Sequence, residues 1–176
     1  MNEIIKKNGI TFGVIMGVFS VLVTTLIYTI NLELFTSWWI GLLAIAISIT
    51  LGVVLLSKTK REMGGLMTFK EAFTTYFLAA VIGSTISVLF NIVLFNLVDP
   101  SAKETLQEIS IKYAVEMMQK FGARASDINQ AVADMQNTDN YAPGNQLFGL
   151  VVSFIFSAIF GLILALIFKN KSSQQL

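Results

Sequence analysis

The sequence predicts an all-α fold, an integral membrane four-helix bundle with a helical extracytoplasmic insertion between spans 3 and 4. Three observations predict it. The 176 residues are 55% hydrophobic and only 13% charged, against about 25% charged in an ordinary globular domain, and mean hydropathy is +0.71. Four long apolar runs contain no Asp, Glu, Lys or Arg at all. The basic residues collect in alternate connecting segments. Composition also narrows the chemistry. With no cysteine there is no disulfide framework and no thiolate. With no histidine the usual general base and the commonest metal ligand are gone. A net charge of +1 gives the chain no pull on nucleic acid.

The four runs cover residues 9–30, 38–56, 72–98 and 147–168 of a single membrane domain, 1–176. A helix rises about 1.5 Å per residue, so about 20 residues cross a hydrocarbon core of ~30 Å. A barrel would need segments of ~10 residues alternating apolar with polar, and these runs do not alternate. In lipid, a helix satisfies its own backbone groups. Lys6 and Lys7 before the first run resemble the start of a secretory signal. A signal's apolar region spans about 7–15 residues before a small-residue cleavage site. This one continues for 22 residues into Asn31-Leu32-Glu33, so it is expected to be an uncleaved first span.

Basic residues stay on the cytoplasmic side. Lys6, Lys7, Lys58, Lys60, Arg61, Lys70, Lys169 and Lys171 all fall on the side shared by the two termini. Residues 31–37 carry no Lys or Arg. Both termini are therefore expected to be cytoplasmic. A cysteine placed at Asn140 should react with an impermeant reagent from outside, and one at Ser172 should not. Trp38 and Trp39 open the second span, at the outer interface that indole rings prefer.

The third span opens with Thr68-x-x-Glu71, the pattern of a capping box. It ends at Asp99-Pro100, a capping residue followed by a proline suited to the first helical position. In segment 99–146 apolar residues recur at Ala102, Leu106, Ile109, Tyr113, Met117 and Phe121, one face of a helix. Glu108/Lys112 and Glu116/Lys120 are spaced as i,i+4 pairs, and Gly122 ends the helix. A shorter helix opened by Ser126 follows, and Asn137–Asn145 turns the chain back. This outer hairpin reads either as a cover for the bundle's end or as a platform for a partner.

Small residues recur every four positions within the spans. Gly9, Gly13 and Gly17 do so in the first, Ala44, Ser48 and Gly52 in the second, and Gly149, Ser153, Ser157, Gly161 and Ala165 in the last. At this spacing helix backbones approach closely in lipid. The first and last spans are therefore expected to pack on each other, within one chain or between chains. Intramembrane polar candidates are Asn91 and Asn96, and Asn91 is expected to hydrogen-bond a neighbouring helix. Ionisable residues within a span mark proton or ion paths, and the runs have none. Phosphate-loop, nucleophile-elbow and zincin motifs are absent from the sequence. The reading is non-enzymatic: no catalytic residue, no cofactor and no metal ligand.

The turn Lys60-Arg61-Glu62-x-Gly64-Gly65, the stretch Thr68-Phe69-Lys70-Glu71-Ala72-Phe73, Asp99-Pro100 and the Gly/Ser/Ala-rich last span together resemble a family of small four-span bacterial membrane proteins. That family is known as a domain of unknown function, mainly from bacteroidete-type bacteria. The resemblance covers nearly the whole chain. It implies an inner-membrane location and an insertion between the third and fourth helices, and it implies no activity. Two function classes follow. The first is a structural or accessory membrane protein whose partners are the lipid bilayer, a second copy or another membrane protein, and not nucleic acid. The second is a channel or carrier for a small or neutral solute, with its cavity near Asn91, Thr85 and Ser87. A hydrated mid-membrane cavity favours the second, and a dry close-packed bundle the first.

Overall fold

The computed structural model describes residues 2–170; Lys171 and Ser172 lie outside them. Among the described residues every regular element is helical: α1 (Glu3–Ile30), α2 (Trp38–Glu62), α3 (Phe69–Val93), α4 (Pro100–Lys120), α5 (Ala125–Asn137) and α6 (Pro143–Phe168). Four of them are long and apolar enough to cross a membrane: α1, α2, α6, and α3 with its extension to Val98. The chain is a multi-pass membrane protein by that measure. The end that holds residues 2 and 170 is called the near end, and the α4–α5 end the far end.

The helices outrun the apolar runs because local chemistry sets their ends. Asn2 caps α1 by accepting the Ile4 N–H at 2.9 Å, and Glu3 suits the positive end of the helix dipole. At the end of α2, Gly64 and Gly65 take φ of +77° and +83°. The Gly65 N–H bonds the Lys60 carbonyl at 2.9 Å and the Gly64 N–H the Arg61 carbonyl at 3.1 Å, the two bonds of a Schellman ending. Thr68 then opens α3. Its Oγ1 accepts the Glu71 N–H at 3.3 Å, while Glu71 Oε2 accepts the Thr68 N–H at 2.8 Å. Gly122, with φ of +75°, closes α4 in the same Schellman manner.

α3 is the hub. α1 lies along one side of it and α6 along another. α1 and α3 run parallel in constant register: Gly9 faces Leu78, Gly13 faces Ile82 and Gly17 faces Ile86. A Cβ on Gly13 would stand 2.7 Å from Ile82 Cβ and 2.9 Å from the Ala79 carbonyl oxygen. The glycines form a groove, and the ridge of β-branched and leucine side chains on α3 fills it. Of the expected packing of α1 on α6, within one chain or between chains, the intrachain half is corrected here: within the chain each packs on α3 instead. The reason is shape. α3 presents the aliphatic knobs Leu78, Ile82 and Ile86 to the α1 groove, and it offers α6 a different surface, the rings of Phe73 and Tyr76 against Gly161.

Along the α6 stripe the outcome varies. Gly161 and Ala165 are buried, Ala165 within a cluster of Leu56, Met67, Ala72 and Leu164. Ser157 lines a cavity. Ser153 bonds its own helix at the Leu150 carbonyl, and a Cβ on Gly149 would meet nothing within 4 Å.

Polar contacts tie the near end together. Asn8 is 1% exposed; its Nδ2 donates to Thr59 Oγ1 at 3.2 Å and to Glu62 Oε2 at 2.8 Å. Lys60 Nζ donates to the Phe168 carbonyl at 2.9 Å, a cation at the negative end of α6. Asn170 and Met67 exchange two hydrogen bonds, at 2.7 and 2.9 Å.

At the far end α3 finishes in a π-helical turn, Leu94–Val98, closed by the Asp99 N–H on the Leu94 carbonyl at 2.8 Å. Asp99 caps α4 through the Ala102 N–H at 3.1 Å and accepts the Tyr28 hydroxyl at 2.7 Å. Hydrogen bonds from Ser101, Tyr28 and the Ala102 N–H hold its carboxyl below the usual range. Asn96 Nδ2 donates to the Tyr141 carbonyl at 2.9 Å and so anchors the return into α6. Leu94, Phe95, Ala102 and Leu106 form the cluster beneath α4, with Tyr28, Phe35 and Tyr141 against it. The apolar face of α4 is buried only at its start: Leu106 is 1% exposed and Phe121, at the hairpin tip, 82%. The expected Glu108/Lys112 and Glu116/Lys120 pairs are not within ion-pair distance. The hairpin is tied instead by Lys103 on Asp139 at 2.7 Å, while Arg124 on Asp127 at 2.9 Å is a local pair across the first turn of α5. Arg124, not Ser126, precedes the first turn of α5.

Candidate functional site

The feature with room for a ligand inside the spans is a cavity of ≈ 350 Å³ between α1, α2 and α3, with α6 closing one side through Ser157. It exists because α2 is held tightly at one end only. Gly52 lets α2 against the Tyr76 ring, where a Cβ would stand 2.8 Å from Tyr76 Cε2. Leu55, Leu56 and Thr59 beyond it are 0% exposed. On the far side of Gly52 no close approach holds the helix, and a Cβ on Gly41 would meet nothing within 4 Å. Residues 41–50 there are almost all exposed. The cavity is the wedge between this diverging half of α2 and the α1–α3 pair. Its α2 wall belongs to the stretch 41–50, which is almost all exposed.

Seven of its fifteen lining side chains carry a hydroxyl: Ser20 and Thr24 from α1, Ser48 from α2, Tyr76, Ser84 and Ser87 from α3, and Ser157 from α6. Ser20 and Ser87 share a hydrogen bond of 2.8 Å between their hydroxyls. Ser48 donates to the Ala44 carbonyl at 2.8 Å and Ser84 to the Ala80 carbonyl at 2.7 Å. A serine whose proton is engaged this way still offers its lone pairs. The cavity thus presents acceptors on an otherwise apolar wall, and no charged side chain lines it. Such a surface can hold a neutral molecule that carries a hydrogen-bond donor.

The near side of the cavity is sealed. Thr75 and Ala79 are 0% exposed and Phe12 is 8% exposed. Below them lies the Asn8–Thr59–Glu62 contact. Asn91 sits one turn beyond Ser87 on α3. Its expected bond to a neighbouring helix is corrected: Asn91 Oδ1 is buried without a hydrogen-bond partner. Thr85 lies off the cavity and bonds the Val81 carbonyl at 2.7 Å. Of the polar residues singled out in the sequence for a cavity, Ser87 is the one that lines it.

Three residues escaped the sequence reading. Ser20 and Thr24 continue the Gly9–Gly13–Gly17 groove face with hydroxyls, and that continuation was the available signal. Asn8 falls one residue before the first apolar run. Its position between Ile5 and Phe12 on one helix face marks it as inward-facing. Among the described residues no three His, Cys, Asp or Glu side chains come together as a metal would require.

A sequence-family profile described as "Protein of unknown function (DUF4199)" matches residues 11–170. No curated protein and no solved structure matches the chain.

Proposed function

The chain belongs to the DUF4199 family, and from that premise we propose that it is an accessory protein of the bacterial inner membrane that holds a single-chain, hydroxyl-bearing lipid in its side cavity. In this reading it crosses the bilayer four times, both termini are cytoplasmic, and the α4–α5 hairpin covers the extracytoplasmic end. It binds; it neither catalyses nor transports.

One observation carries the reading: buried side chains bound the cavity toward the near end, while its α2 wall runs through an exposed stretch of a spanning helix. A solute crossing the membrane needs a route past the Phe12–Leu55–Ala79 cluster. A lipid-borne molecule needs only a way in past that stretch of α2. The size agrees. At ~30 Å³ per water-sized group, ≈ 350 Å³ accommodates roughly a dozen such groups. A whole partner helix, about 10–12 Å across, is too large. The orientation rests on the basic residues gathered at the near end and their absence from residues 31–37.

The test is lipid analysis of protein purified in mild detergent, paired with liposome flux. The expected result is a co-purifying single-chain species that Ser84→Leu, which fills the cavity, displaces. Flux should not saturate with solute concentration. Saturable uptake of a small neutral solute, abolished by Ser84→Leu, would replace the accessory reading with the carrier one. The carrier reading has one point in its favour, the hydroxyls at mid-span. Labelling of cysteines at Asn140 and Ser172 tests the threading: reaction at both from the same side would overturn it.

A further inference from the structure

A second concavity lies at the far end, where the start of α2 meets the flank of α4. It measures ≈ 440 Å³, and Glu33, Trp38, Trp39, Lys112, Tyr113 and Glu116 contribute to its wall. The chain's two tryptophans are therefore both in it. Trp38 is 70% and Trp39 50% exposed, and they are the first two residues of a helix long and apolar enough to span. Indole rings at that position sit at headgroup level. Among the described residues, Glu33, Lys112 and Glu116 are in no ion pair. Two carboxylates and one ammonium thus border an aromatic-walled hollow with no ion pair among them.

From this arrangement we propose that the pocket binds a zwitterionic phosphoester headgroup with a primary ammonium, of the phosphoethanolamine type, on a membrane lipid. Each charge has a counterpart. Glu33 and Glu116 accept from the ammonium, whose three N–H donors need acceptors. The faces of Trp38, Trp39 and Tyr113 attract the same cation. Lys112 meets the phosphate. A quaternary ammonium has no N–H to give the carboxylates, and an anionic glycerol headgroup meets two like charges. The pocket's chemistry therefore ranks phosphatidylethanolamine above phosphatidylcholine and phosphatidylglycerol. The proposal rests on α2 being membrane-spanning. It does not depend on what occupies the mid-span cavity.

The experiment uses the full chain in nanodiscs of phosphatidylcholine into which phosphatidylethanolamine or phosphatidylglycerol is titrated. Emission from the two tryptophans reports the pocket directly, and native mass spectrometry counts retained lipid. Phosphatidylethanolamine should shift the emission and be retained preferentially. Removing charge-assisted hydrogen bonds in Glu33→Gln/Glu116→Gln should weaken that preference about tenfold or more. Both positions lie outside the spans, and the circular dichroism of this variant should match the parent's. Lys112→Gln should lower retention while leaving the order of lipids intact. Soluble phosphoethanolamine added to pure phosphatidylcholine discs separates the sources. If it shifts the emission and the lipid does not, the lipid assignment is overturned. Equal retention of the three lipids, or a preference unchanged in the double variant, overturns the site itself.

Discussion

α1 and α6 carry the same small-residue pattern and use it differently. On α1 the three glycines are all in contact with α3, and at Gly13 the contact reaches backbone. On α6 the stripe of five divides: Gly161 and Ala165 are buried, Ser157 faces a cavity, and Gly149 faces open space. A four-residue spacing of small side chains states that a helix can be approached closely. Whether it is approached depends on the partner's surface. α3 offers α1 the rigid series Leu78, Ile82 and Ile86, and offers α6 the broad rings of Phe73 and Tyr76.

The sharpest way to break this contrast is Gly13→Leu. With Ile82 Cβ and the Ala79 carbonyl in the way, the helices must separate. We expect a loss of about 3 kcal/mol or more, at the top of the range for overpacking, read as a fall in unfolding midpoint in mixed micelles. Gly161→Leu is the matching change on α6. Its nearest neighbours would be Tyr76 Cδ1 at 3.0 Å and Phe73 Cδ2 at 3.3 Å, ring atoms that can yield, so about 1–3 kcal/mol is expected. If Gly161→Leu folds and migrates like the parent in mild detergent, the close approach at α6 carries no stability. Removing the hydroxyl pair with Ser20→Ala should cost about 0.5–1 kcal/mol, in the range of intramembrane hydrogen bonds, measured by the same unfolding.

Acid should sharpen the comparison by sparing the spans. Burial opposes ionisation of Asp139, but the Lys103 ammonium and the Tyr141 and Ala142 N–H groups outweigh it and lower its pKa. The stabilisation is complete above the ordinary value near 3.8 and is lost as pH falls through the depressed folded value. Hydrogen exchange near residues 138–142 should quicken there, while α1 amides beside α3 stay protected; Asp139→Asn should remove the dependence. The smallest effect is expected from Gly149→Leu, within about 0.5 kcal/mol. A loss as large as that of Gly13→Leu would mean that Gly149 is covered by a partner.

The architecture was legible because it rests on local signals: charge-free runs for the spans, Thr68 and Glu71 at one end of α3, and Asp99-Pro100 at the start of α4. The partner of each helix was not legible. Gly13 says a helix can come near; it does not say that Ile82 will. The cavity was only partly legible. Ser87 was noted, but the void arises where α2 lacks a contact, and an absent contact leaves no residue pattern. The apolar face of α4, from Ala102 to Phe121, was expected from its spacing. Its gradient from Leu106 to Phe121 depends on where the hairpin leaves the bundle, which no periodicity encodes.

The parallel register of α1 with α3 has a consequence for how the chain is made. Two parallel neighbours cannot be joined by a tight turn, so α2 must be threaded before α1 meets its match. Until Ile82 emerges from the ribosome, the Gly13 groove faces lipid with nothing seated in it. The first two helices alone therefore lack the ridge that fills this groove in the folded chain.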